Sequence, residues 1–174
     1  MLIKSTQNNA QENILYNNIL LLSRNKLFYT KFDLADTFQN RINLIFLHIS
    51  FIFIKIKQNN KNRIYKTFYQ KIFDLTFNKI ELNMREIGFG DSTINKNMKF
   101  LVKTFYSILF NCEKYKEMRT NDKNEFLNKY LELNNIKNNS INKGIIEYFD
   151  KYEAFCFDLK TDSVLKGKLK FNYK

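Results

Sequence analysis

Apolar and polar positions along the chain fall into a series of helical stripes separated by short polar links. The first runs through Ile14, Leu15, Ile19, Leu21 and Leu22 and ends near Ser23 to Asn25; the recurrence at three and four residues predicts an amphipathic helix. A connection with Phe28, Tyr29 and Phe32 follows, and Asp33 or Asp36 is placed to cap the next element. That element, about 34 to 58, carries one apolar face at Ile42, Ile45, Phe46, Ile49, Phe53 and Ile56 and a second at Leu44, Leu47, Phe51 and Ile54. Two apolar faces on one helix imply central burial or partial cover by a partner. Ser50 to Lys57 also alternates as a strand would, but the longer window keeps the 3.6-residue period. As a helix, Ile42 to Ile56 would reach about 22 Å, short of the roughly 30 Å hydrocarbon core, so spanning is disfavoured while lying on a membrane is not.

The polar link Gln58 to Asn62 precedes a long helix from Arg63 to about Ile87, with the stripe Ile64, Phe68, Ile72, Leu75, Ile80, Met84 and Ile87. Next comes the bend Gly88, Phe89, Gly90, Asp91, with two of the chain's four glycines. Glycine tolerates positive φ and close backbone approach, so the pair predicts a compelled turn. Asp91, Ser92 or Thr93 can cap the following helix, whose face is Met98, Leu101, Val102, Phe105, Leu109 and Cys112. Asn121 or Asp122 starts another through Leu133, the Asn-rich segment 134–142 breaks it, and Ile145 to Phe157 reads as the last helix. From Asp158 the tail alternates through Leu165, Gly167, Leu169 and Phe171 and is expected to be extended. The fold expectation is all-α: one domain over 1–174, a bundle of about six helices with core 10–157, a GFGD bend between helices, and an extended tail 158–174.

A length of 174 residues suits one core. Phe (18) and Tyr (10) are abundant beside no Trp and no Pro, a bias that AT-rich codons would supply and that discounts the net charge of +12. The charge is uneven all the same. Between Asp36 and Asp74 there is no acid, against Arg41, Lys55, Lys57, Lys61, Arg63, Lys66 and Lys71. Residues 120–160 are near neutral, with seven acids and six bases. The patch Lys55, Lys57, Lys61, Arg63, Lys66 and Lys71 is a candidate for an anionic partner: RNA, ribosome or lipid head groups.

Chemistry is sparse. Cys112 and Cys156 belong to no CxxC pair, which disfavours a disulfide framework or structural zinc. His48, the only histidine, lies between Leu47 and Ile49 and reads as core instead of a metal or haem ligand. GFGD lacks the third glycine of GxGxxG and follows a helix, so phosphate binding is disfavoured. With no nucleophile beside a base, an enzyme is not expected, and neither cofactor nor metal is. The N-terminal stretch lacks the order of a signal peptide and the arginines of a transit sequence, so a cytoplasmic place is expected.

The run Asn83 to Tyr106, NMREIGFGDSTINKNMKFLVKTFY, resembles the ubiquinol-cytochrome c chaperone family of mitochondria and alphaproteobacteria. That family carries an R-E-hydrophobic-G-hydrophobic-G-D bend, a basic K-x-hydrophobic-K helix and an F-Y pair. Arg85, Glu86, Gly88, Gly90, Asp91, Lys96, Met98, Lys99, Phe105 and Tyr106 match in order and spacing. The LFY at 27–29, the helix with Leu47 and His48, and LKGKLKF at 165–171 extend the likeness over nearly the whole chain. The resemblance implies a non-catalytic assembly factor that shields newly made cytochrome b during construction of ubiquinol-cytochrome c reductase. It implies association with the ribosome near the tunnel exit, a small partner assembly factor, and a place peripheral to the inner membrane, or on the matrix side in an organelle. Three surfaces are expected to serve it: a polar corner of Arg85, Glu86, Asp91, Lys96 and Lys99 at the glycine bend, the basic patch, and a client-binding apolar surface of Leu44, Leu47, Phe51 and Ile54. The alternative is a basic RNA- or ribosome-binding module with no respiratory client.

Overall fold

The computed structural model describes residues 3–58, 63–134 and 143–173. Its axis is the most apolar helix of the chain. Helix α1 spans Ile3–Ser23, a single turn α2 Leu27–Thr30, and the axial helix α3 Phe38–Lys57. They are followed by α4 Arg63–Ile87, α5 Asp91–Lys114 with a 3-10 turn Tyr115–Glu117, α6 Thr120–Tyr130, α7 Lys143–Asp158 and a short α8 Thr161–Leu165. Among the described residues there is no strand, only an isolated bridge between Leu34 and Leu133. The bundle is thus all-α, and the helical period over Ser50 to Lys57 wins over the strand-like alternation.

Helix α3 packs against α1, α4, α5, α7 and α8, which explains its two apolar faces. Both are covered: Ile42, Ile45, Phe46, Ile49, Phe53 and Ile56 are buried, and so are Leu44, Leu47 and Phe51. The helix starts later than its pattern predicts. Asp33 and Asp36 do not cap it; the Thr37 hydroxyl accepts from the Asn40 amide at 3.2 Å, while Asp36 binds Arg41 through both oxygens at 2.7 and 2.8 Å. Two buried amides then fix the start of α3 to the end of α6. Asn40 donates to the carbonyls of Ala35 (2.7 Å) and Glu132 (2.8 Å) and accepts from the Glu132 amide (2.9 Å). Asn43 donates to the Tyr130 carbonyl at 2.6 Å.

The stripes of the flanking helices need small corrections. In α4 the buried positions are Phe68, Ile72, Thr76, Phe77, Ile80 and Met84, while Ile64 and Ile87 face out. In α5 the buried line is Ile94, Leu101, Phe105, Ile108 and Cys112. Helix α6 stops at Tyr130, three residues before its pattern predicts, because Leu131 turns extended. Beyond α8 the tail runs without regular structure and lays Phe171 on the rings of Tyr148, Tyr152 and Phe155, with centroids 5.1 to 5.5 Å apart. It is a lid on the α7 core, anchored where Gly167 (φ 70°) meets α1.

Candidate functional site

The bend between α4 and α5 is built from one glycine, not two. Gly88 has φ 97°, its N–H reaches the Arg85 carbonyl at 3.0 Å, and the Phe89 N–H reaches the Met84 carbonyl at 3.0 Å. This paired closure of a helix end requires a left-handed residue and favours glycine. Gly90 is different. Its φ of −72° and ψ of 155° suit any residue, and a Cβ there would touch nothing within 4 Å. The expectation that both glycines are compelled therefore fails at Gly90, which acts as the N-cap of α5 with no side chain to help.

Around the bend the polar corner forms only in part. Arg85 bridges Glu81 at 2.8 Å and Asp91, and these two carboxylates, Glu81 foremost, push the guanidinium pKa up. The bridge ties the last turn of α4 to the first turn of α5. Glu86 instead lines a cleft of about 200 Å³ with Arg24 and Arg41. Lys96 and Lys99 point outward from α5, and no hydrogen bond or ion pair joins them to Arg85 or Asp91 among the described residues.

Three of the six residues of the basic patch have partners within the fold. Lys55 donates to the Phe157 carbonyl, Lys57 pairs with Glu113 at 2.7 Å, and Lys71 lies 3.4 Å from the buried Glu12. Arg63 and Lys66 are exposed; Lys61 lies outside the described residues. The apolar surface assigned to α3 is corrected outright: Leu44, Leu47 and Phe51 are core residues, covered by the helices on every side. Of the four, Ile54 is partly buried and reaches the surface, and it leads to the site that sequence reasoning missed.

That site is an open groove of about 570 Å³ where the C-terminal half of α3 meets the start of α4 and the end of α5. Phe53, Ile54, Ile56, Tyr69 and Leu109 form its apolar floor and walls, and Tyr65, Tyr106 and Phe110 its rim. Tyr69 lies over Phe53 with ring centroids 3.9 Å apart; burial, before Tyr106 and Glu113, pushes its hydroxyl pKa up to about 12. The Lys57–Glu113 bridge joins α3 to α5 at one side, and Lys66 stands at another. Nothing here is arranged for bond making: tyrosines, aliphatics and a satisfied ion pair offer shape and apolar area with a polar edge. The signal available in the sequence was the departure of α5 from strict amphipathicity, since Phe100, Tyr106 and Phe110 fall outside its buried stripe.

Other reactive groups are buried structure. His48 Nδ1–H donates to the Leu44 carbonyl at 2.6 Å and Nε2 accepts from the Tyr148 hydroxyl at 2.7 Å. Burial lowers its pKa from 6.5 to about 4, so the ring is neutral. Cys112 and Cys156 are buried free thiols, and burial pushes both pKa values up. Among the described residues no three His, Cys, Asp or Glu side chains gather as a metal would require, and no helix is long and apolar enough to cross a membrane.

Comparison with known proteins agrees with this architecture. A crystal structure of the Cbp3 homolog from Brucella abortus superposes with a TM-score of 0.81 at 22% identity, covering 98% of this chain and 93% of that one, which establishes a shared fold. Curated protein sequences give no significant match. The family model for ubiquinol-cytochrome C chaperone matches residues 30–171, from the connection before α3 to the tail lid. With its glycine bend, axial helix and tail lid all inside that match, the chain belongs to the ubiquinol-cytochrome c chaperone family.

Proposed function

We propose that this protein is a non-enzymatic assembly factor for ubiquinol-cytochrome c reductase, holding newly synthesised cytochrome b in the groove between α3, α4 and α5. The observation that carries the reading is the groove itself: an aromatic and aliphatic trough, open along one side, in a member of a chaperone family. An apolar helix waiting for its bilayer needs such a trough, because exposed apolar area in water drives aggregation. An amphipathic or apolar helix laid in a groove is read by side chains at i, i+3, i+4 and i+7. Tyr65, Tyr69 and Tyr106 supply rigid contact area with hydroxyls that tolerate water when the groove is vacated. The small partner factor, the ribosome and an inner-membrane periphery remain part of the proposed setting. The alternative of a basic RNA module loses support because Lys55, Lys57 and Lys71 already have intramolecular partners.

The test is genetic and spectroscopic. Removing the gene should lower the haem spectrum of assembled cytochrome b under respiratory growth, and the wild-type chain should restore it. Normal cytochrome b in the deletion strain would sink the proposal.

A further inference from the structure

We infer that the outward face of α5 is a second contact surface, meeting the groove at Phe110, one that seats the protein on an anionic lipid bilayer. Lys96, Lys99, Phe100, Lys103, Phe110 and Lys114 recur at three-, four- and seven-residue spacings opposite the buried line Ile94, Leu101, Phe105, Ile108 and Cys112, and all six are exposed. Phe100 is 59% exposed and Phe110 56%, a large apolar display for a helix whose core face is already satisfied. The stripe runs about 27 Å, at the helical rise per residue.

Charge complementarity selects the occupant. Between Asp91 and Glu113 the helix carries no acid; Glu113 is held by Lys57 and Asp91 by Arg85. On the neighbouring element α6, Lys129 adds a cation beside Phe100 and Lys103, with Glu132 the acid at that edge. The face therefore attracts an anionic surface. Its cations are all lysines, compact charges that meet phosphate without the planar fork that nucleic-acid readers use. Its two phenylalanines are ten residues apart on one helix, Phe110 at the groove border and Phe100 beside Lys129, and do not form a row of stacking platforms along a basic channel. With lysines and phenylalanines interleaved on one exposed face, the ammonium groups meet lipid phosphates while the rings enter the head-group layer, so charge and apolar insertion act together. The contact is superficial, since no described helix can span. It also differs from the patch 55–71, whose lysines are mostly paired.

The chain lacks tryptophan, so Phe100→Trp provides a single reporter away from the groove. The full chain is mixed with vesicles of phosphatidylcholine alone or of phosphatidylcholine with phosphatidylglycerol. The expected result is a blue-shifted emission quenched by brominated lipid with anionic vesicles only, reversed by high salt. In pelleting assays Lys96→Gln/Lys99→Gln/Lys103→Gln should reduce binding by about tenfold or more, Phe100→Ser should reduce it at unchanged melting temperature, and Arg63→Gln should leave it unaltered. Absence of pelleting with anionic vesicles, or pelleting indifferent to the α5 variants, overturns the inference. A reporter shift with oligouridine and none with vesicles overturns it in favour of RNA.

Discussion

Gly167 and Gly88 both occupy left-handed backbone, at φ 70° and 97°, but they answer to different constraints. At Gly167 a Cβ would sit 2.8 Å from the Gln11 carbonyl oxygen and 2.8 Å from Ile14 Cγ2, so Gly167→Ala combines backbone strain with a clash against α1. It should cost about 3 kcal/mol or more and free the tail lid. Gly88→Ala meets open space and should cost only the left-handed penalty of about 1 kcal/mol. Gly90→Ala should stay within about 1 kcal/mol of wild type. Urea denaturation of the three variants checks the ranking, and a Gly90 variant as damaged as the Gly167 one would refute it. The sequence pointed to both glycines of the bend because the motif shows only that Cβ is missing, not which sign φ takes. His48 carries a pH signature. Its folded pKa of about 4 lies below the unfolded 6.5, so the unfolded chain binds the proton first and stability falls as pH drops from 6.5 towards 4. The loss should reach roughly 3 kcal/mol. A His48→Gln variant, less stable at neutral pH, should show a flatter decline over that window; parallel curves would remove His48 from the account.

At the scale of elements, α3 was legible as the most apolar helix but its surroundings were not. Periodicity reports how much of a helix surface is apolar; it does not say whether protein or a partner covers it, and here α1, α4, α5, α7 and α8 do. Leu44, Leu47 and Phe51 consequently moved from a supposed binding surface to the core. The groove was hidden for the converse reason. Its rim residues Tyr65, Tyr106 and Phe110 come from two helices, and only the packing of α4 against α5 brings them to one opening. Caps were missed because Asp36 prefers Arg41 to the helix end. The Asn40 clamp gives a test of how tightly α3 sets its neighbours. Asn40→Ala leaves the Glu132 amide without its partner, while the Ala35 and Glu132 carbonyls keep the Thr37 and Ala35 amides as donors. A buried group left unpaired costs about 1–3 kcal/mol, so a loss of about that size is expected by thermal melting. Asp36→Asn, at an exposed pair, should matter far less. Equal losses would mean that the clamp does not hold the 131–134 segment.

For the whole molecule, the groove and the outer α5 face are adjacent, sharing Phe110 at their border. A protein seated through α5 would hold its groove beside the bilayer into which a membrane helix must finally pass, so capture and delivery would be short in distance. The two surfaces separate experimentally because most of their residues differ. Gln70 is exposed on the groove lip and hydrogen-bonds its helical neighbour Asp74, at 2.8 Å. Gln70→Trp should therefore fill the trough without disturbing the core. Tyr106, 50% exposed, can be changed to Asp to place a charge on the wall, where an apolar helix could cover it only at a desolvation cost of a few kcal/mol. Both variants should keep their melting temperature within a few degrees, and Gln70→Trp should bind anionic vesicles as wild type does. Both should fail to restore the cytochrome b haem spectrum in a deletion strain and retain less newly made cytochrome b in pull-downs. Phe100→Ser should show the opposite split, with cytochrome b still captured in detergent extracts and vesicle binding lost. Full rescue by Gln70→Trp and Tyr106→Asp, with both proteins present at normal levels, would mean that the client lies elsewhere on the bundle.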